Sequence, residues 1–143
     1  MYGSLDISVG GMVAQRMRMD VISANLANRD TVLDANGEPN PFRRKLAVLR
    51  QGDPMGSTPA ARELGVHMGD LQEDPAPFRK VYDPTSPFAR PEGDPDRGYV
   101  YYPNIDPVME QINAVEAVRA YEANATAAEV TKTMMAQALR LLA

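Results

Sequence analysis

The sequence predicts a mainly α-helical fold with a small β or extended middle, in which long N- and C-terminal helices pair like a coiled coil around a Pro-rich segment of short strands. Three observations predict it. All 12 prolines of the 143-residue chain fall between Pro39 and Pro107, and no glycine follows Gly98. Proline removes a backbone donor and clashes inside helices, so the two ends are free to be helical and the middle is not. The charges divide the same way: residues 1–30 carry three basic and three acidic groups, 31–107 carry nine and twelve, and 108–143 carry three and four. Third, apolar residues recur at helical spacing in both lightly charged ends, the profile of surfaces meant to be covered. The expected segments are therefore 1–30, 31–106 and 107–143, within a length that suits one domain rather than two cores.

The first helix is expected from about Ser4 to Asn28. Leu5, Val9, Met12, Met19, Ile22 and Leu26 share one seam, interrupted by Arg16. Gly10-Gly11 reads as a weak spot, costing about 1 kcal/mol per glycine relative to alanine. Asn28 is a candidate left-handed residue just past the helix end. Alanine and methionine are abundant in both terminal segments; alanine lets backbones approach and methionine fills irregular gaps.

The middle reads as short strands between turns, with candidates Phe42 to Leu49, Val66 to Met68, Phe78 to Tyr82 and Gly98 to Tyr102. Turn clusters such as Asp34-Ala35-Asn36-Gly37 and Asp83-Pro84-Thr85-Ser86-Pro87 separate them. Proline at the strand ends favours a small extended region over a full sheet.

The C-terminal helix has a clear start. Asp106 is placed to cap free N–H groups, and Pro107 fits the first helical position, where its missing donor costs nothing. A stripe follows through Val108, Ile112, Val115, Val118, Tyr121, Ala125, Ala128, Lys132, Met135, Leu139 and Leu142, in steps of three and four. Three successive steps of three, from Ile112 to Tyr121, break the heptad locally. A helix over 107–143 is roughly 55 Å long at 1.5 Å per residue, longer than any core this chain can build, so it needs something else to lie against.

Composition excludes much. A net charge of -4, from 15 Lys plus Arg against 19 Asp plus Glu, is the wrong sign for a broad nucleic-acid grip. With no cysteine and one histidine, His67, a thiolate metal site, a thiol nucleophile and a histidine relay all lack their parts. No catalytic residue, metal, cofactor or small-molecule substrate is expected. The carboxylate pairs Glu73-Asp74 and Asp94/Asp96 lie in Pro/Gly-rich turns and are read as caps rather than as acid–base pairs for a glycan. His67 is read as a strand residue facing solvent or a partner, Arg43-Arg44-Lys45 as a charged strand edge, and Tyr99-Val100-Tyr101-Tyr102 as a strand buried between subunits. The N-terminus lacks the basic and apolar regions of a cleavable secretory signal, so the chain is expected to stay in the cytoplasm or to leave by a route needing none.

Ala24-Asn25-Leu26-Ala27-Asn28, followed by Thr31, resembles the Asn-rich motif shared by the rod and hook axial proteins of the bacterial flagellum. Gly37-Glu38-Pro39, Phe42-Arg43-Arg44-Lys45, Val81-Tyr82-Asp83-Pro84, Gly98-Tyr99-Val100, Pro103-Asn104-Ile105 and Arg119-Ala120-Tyr121-Glu122-Ala123-Asn124, in that order, are similar to the proximal-rod members of that family. The resemblance covers nearly the whole chain. It implies a structural subunit of the basal-body rod, spanning the periplasm and exported by the flagellar type III apparatus without a cleaved signal peptide. The partners it implies are further copies of itself, the other proximal and distal rod proteins, and the adaptor that joins the rod to the membrane ring.

The residues expected to form the assembly interface are Leu5, Met12, Met19, Ile22 and Leu26 with Val108, Ile112, Val115, Val118, Tyr121, Met135, Leu139 and Leu142. Asn25, Asn28 and Asn124 are expected to supply hydrogen bonds at crowded joints. A cytoplasmic coiled-coil dimerisation or adaptor protein is the alternative that uses the same seams, and it predicts a stable helical dimer in dilute solution.

Overall fold

The computed structural model describes residues 2–142 and places seven elements along the chain: α1 (Tyr2–Ala27), β1 (Lys45–Gln51), α2 (Pro59–Leu64), β2 (Val66–Glu73), β3 (Arg79–Tyr82), β4 (Tyr99–Tyr102) and α3 (Pro107–Leu142). Long terminal helices flank a middle of short antiparallel strands, the predicted fold class. Asp106 caps α3 as expected: its Oδ1 accepts from the Val108 N–H at 2.9 Å, and its carbonyl accepts from the Glu110 N–H at 3.0 Å. At 36 residues α3 is about 54 Å long. No helix among the described residues is long and apolar enough to cross a membrane.

The helices α1 and α3 lie antiparallel. Asn25 bonds Glu110, Arg18 pairs with Glu116, and Gly11 faces Asn124. In each pair the two residue numbers add to 134 or 135, so Tyr2 comes level with about residue 133 at constant rise. The last turns of α3 therefore project beyond the start of α1.

The middle forms two separate hairpins. Strand β1 pairs with β2, with Lys45 opposite Glu73 and Gln51 opposite Val66 and a bulge between Ala47 and Leu49. Strand β3 pairs with β4, with Arg79 opposite Tyr102 and Tyr82 opposite Tyr99. All four predicted strands exist, the first displaced toward Gln51 and the second continuing to Glu73. The Asp34–Gly37 turn forms as read: Asp34 Oδ1 accepts from the N–H groups of Asn36 and Glu38, and Gly37 takes a φ of +81°.

Two expectations are corrected. The middle does contain a helix. Pro59 stands in the first turn of α2, where its ring is tolerated, and the Thr58 Oγ1 accepts from the Ala61 N–H. Asn28 is not left-handed, since no non-glycine residue described has positive φ. It closes α1 by its side chain instead: Nδ2 donates to the Ala24 carbonyl at 2.9 Å, and Oδ1 accepts from the Thr31 hydroxyl at 3.2 Å.

The first half of α1 is enclosed from two sides, by α3 and by the β1–α2–β2 unit. Asp6 Oδ2 accepts from both the N–H and the hydroxyl of Thr58, at 2.8 and 2.9 Å. Gly10-Gly11 is a place of close approach. A Cβ at Gly11 would lie 2.7 Å from Asn124 Oδ1, and one at Gly10 would lie 3.1 Å from Asp53 Oδ2 and 3.3 Å from the Val66 carbonyl.

Candidate assembly interface

A polar joint fixes the middle against the helix pair. Asn25, on the last turns of α1 and 1% exposed, donates through Nδ2 to the Lys45 carbonyl at 2.8 Å and to Glu110 Oε2 at 3.1 Å. Its Oδ1 accepts from the Lys45 N–H at 2.9 Å, so one amide completes the backbone bonding at the start of β1. Glu110 is also 1% exposed, and its other oxygen accepts from Arg44 Nε at 2.9 Å. Arg44 then reaches Asp74 at 3.3 Å. Burying Glu110 is tolerable because a guanidinium and an amide occupy its oxygens. The Ala76 N–H, and after it Arg44, hold the Asp74 carboxyl below its usual value. Burial pulls the Arg44 guanidinium down, but its bonds to Glu110 and Asp74 outweigh this and leave it raised.

Above this joint the helices meet through small groups. Ser8, Gly11, Ala14 and Ile22 are buried on α1, and Glu110 and Ala117 on α3, while Ala114, Ala120 and Asn124 are half-buried. Asn124 Nδ2 returns to the Ala120 carbonyl at 2.8 Å. Absent side chains let the two backbones approach.

The α3 seam read from the sequence lies elsewhere. Val108 is 62% exposed, Ile112 47% and Val115 52%, on the side away from α1, and Val118, 41% exposed, stands on the flank between. The locally broken heptad explains the position. Each step of three falls about 60° short of a turn, so the seam starts on the outer face and crosses to the α1 side further along. Tyr121 stands at the crossing, and Ala128 and Met135 are half-buried on the α1 side. Leu139 lies on the projecting end at 67% exposure; the side chain of Leu142 is outside the described residues. On α1, Ile22 is buried, while Leu5, Met12, Met19 and Leu26 are half-buried beside the contact with α3.

The remaining candidates are tied up structurally. His67 is bonded through Nδ1 to the Gly52 carbonyl. The basic run is not a solvated edge: Arg44 belongs to the buried joint, and Arg43 lies 4.4 Å over the Phe78 ring while bonding the carbonyls of Asp74 and Ala76. Glu73 faces Lys45, and Asp94 accepts from the Asp96 N–H. Asp96 bonds Lys80 at 2.8 Å and the Tyr101 hydroxyl. Lys80 and then Tyr101 lower the Asp96 carboxyl, and Asp96 raises the Tyr101 phenol. Tyr82 and Tyr99 meet edge to face at 5.2 Å, and Val100 is fully buried. Sequence reasoning missed Glu110 and Arg44 as a joint. The available signal was phase: Glu110 is the one charged residue on the stripe Glu110, Ala114, Ala117, Ala120 and Asn124.

Both ends of the chain match known families. Residues 5–32 match the flagella basal body rod protein family, and residues 96–141 match the C-terminal region of the flagellar basal body rod FlgEFG proteins. An antiparallel helix pair with these two ends defines an axial structural subunit of the flagellar basal-body rod. The FlgC basal-body rod protein of Bacillus subtilis is 40% identical, with 98% of this chain and 97% of the relative covered. That of Borreliella burgdorferi is 34% identical over 99% and 97%, and that of Escherichia coli 36% over 95% and 93%. The chain belongs to the FlgC family of flagellar basal-body rod proteins.

Proposed function

We propose that this subunit builds the proximal part of the rod by packing the outer faces of its terminal helices against further copies and the other rod proteins, and that many such seams in parallel transmit torque. The observation that carries this reading is the outer face of α3. Val108, Ile112 and Val115 stand 47 to 62% exposed on the side of the helix opposite α1, and Val118, 41% exposed, continues the row along the flank. About half of each side chain is still in water, so covering it adds about 0.7–1.5 kcal/mol per residue, and a row of them left exposed marks a surface for a partner. Leu139 and the α3 projection extend that surface, and Leu5, Met12, Met19 and Leu26 flank it on α1. Contacts repeat head to tail rather than about a two-fold axis, which gives an open helical polymer.

The protein acts without catalysis or cofactor, and its ends and middle divide the labour as 1–30, 31–106 and 107–143. The terminal segments polymerise; the middle braces neighbours and sets subunit identity. Its place is the basal body across the periplasm, reached through the flagellar type III apparatus without a cleaved signal, with the membrane-ring adaptor at the rod base. A chain whose helices are completed by neighbours remains easy to unfold and thread before assembly. The test is Val118→Asp or Leu139→Asp, which places a charge in a joint that is dry only after assembly. The expected result is loss of rod assembly and swimming with the isolated chain still folded; normal swimming with either change refutes the packing. A sharply melting dimer of the purified chain in dilute solution would instead favour a cytoplasmic adaptor.

A further inference from the structure

Beside the β3–β4 hairpin, in the middle segment and apart from the helix faces described above, lies an open cleft of about 400 Å³, in the size range of ligand sites. Its walls are rings: Pro39, Pro41 and Pro77 with the aromatic faces of Phe78 and Tyr101. Its charges are all of one sign, Arg43, Lys80 and Arg90, although the whole chain is net negative. The cations are stacked on the rings rather than scattered: Arg43 lies 4.4 Å over Phe78, Arg90 4.8 Å and Lys80 5.4 Å from the Tyr101 centroid. Asp96 and Asp94 pair with Lys80 and Arg90 but do not line the cleft. Arg43 makes no ion pair among the described residues; its Nη1 donates to the backbone carbonyls of Asp74 and Ala76.

We propose that this cleft is a docking site for an extended, acidic, proline-containing peptide segment of a neighbouring protein. Ring-lined grooves accept chains already extended by proline, because the flat faces stack and little backbone entropy is lost. The cations then select acidic side chains by charge complementarity. A free inorganic anion would use the cations and leave five rings idle. A long polyanion would meet the repulsion of the acidic chain around the cleft, whereas a short acidic segment engages only the local field. The proposal goes beyond rod building and is read on the free chain, so either idea can fail without the other.

The test titrates the isotopically labelled full-length chain, at low ionic strength, with a synthetic peptide of five Glu-Pro repeats, and follows backbone amide shifts. Saturable shifts at residues 39–43, 77–80, 90 and 101 are expected, with salt-sensitive affinity. Matched Gln-Pro and Lys-Pro peptides should bind far more weakly. Arg90→Gln removes an exposed cation and Arg43→Gln the one over Phe78; each should weaken binding about tenfold with helical ellipticity unchanged. If Arg43→Gln disturbs the hairpin, Arg90→Gln decides alone. Absence of saturable binding overturns the proposal, as do equal binding of the Gln-Pro peptide and shifts confined to α3. Tighter binding of a muropeptide or of oligothymidylate at the same residues overturns it in favour of those ligands.

Discussion

The two faces of α3 are inverted relative to a helix that serves only its own chain. Toward α1 it presents Glu110, Ala114, Ala117 and Asn124; away from α1 it presents Val108, Ile112 and Val115. A self-sufficient amphipathic helix would bury the second set and expose the first. Small and polar groups give the inner face little apolar area but a sharply defined register, because Gly11 fits only Asn124 and Asn25 fits only the Lys45 peptide and Glu110. The outer face has area without such constraints. Specificity is directed inward and adhesion outward, and that division separates a subunit from a monomer.

The comparison breaks most easily at Glu110. Glu110→Ala leaves Arg44 with Asp74 alone and frees one Asn25 donor in a buried place. The pair is part-buried and Arg44 keeps Asp74, so the loss is about 2–3 kcal/mol, read as a lowered urea midpoint. Next is Gly11→Val, which drives a branched side chain into Asn124 and should cost about 1–3 kcal/mol by the same measurement. Gly11→Ala sharpens the point: helix propensity alone would add about 1 kcal/mol of stability, yet the overlap with Asn124 should make the change destabilising. By contrast Val108→Asp or Val115→Asp, each at a side chain more than half exposed, should move the midpoint by less than about 0.5 kcal/mol. A large loss there would mean that the outer face is part of the fold, and the contrast would collapse.

The smallest effects belong to the β3–β4 hairpin. Asp96 is held below its ordinary 3.8, first by Lys80 and then by Tyr101, so its stabilisation is complete above that value and is lost as pH falls through the depressed one. Tyr101 is raised above 10.0 by Asp96, so its share is present at neutral pH and lost as alkali passes the raised value. In an absorbance titration, Asp96→Asn should bring the Tyr101 ionisation back toward 10.0. His67→Ala loses one exposed-side bond to a loop carbonyl, and swimming should be normal.

Much of this was legible along the chain because its causes are local. The proline boundary, the Asp106-Pro107 start of α3 and the Asp34–Gly37 turn each act within a few residues. Helix α2 was hidden because proline breaks a helix interior but opens a helix at its first turn, and position alone distinguishes the cases. The α3 seam is visible as an assembly surface, but a linear list of positions hides its winding: it starts on the outer face at Val108 and ends on the α1 side at Ala128 and Met135. Arg44 and Glu110 stand 66 positions apart and nothing near either one announces the other.

The enclosure of α1 fixes an order of events. Helix α1 is made before the elements that seat it: its flanking supports begin at Lys45, and its long companion runs from Pro107 to Leu142. The contacts that seat it span 52, 85 and 98 positions, and such distant closures are slow to form. Helix α1 is therefore made early and seated late, and until α3 is made it stays open to whatever binds a loose helix.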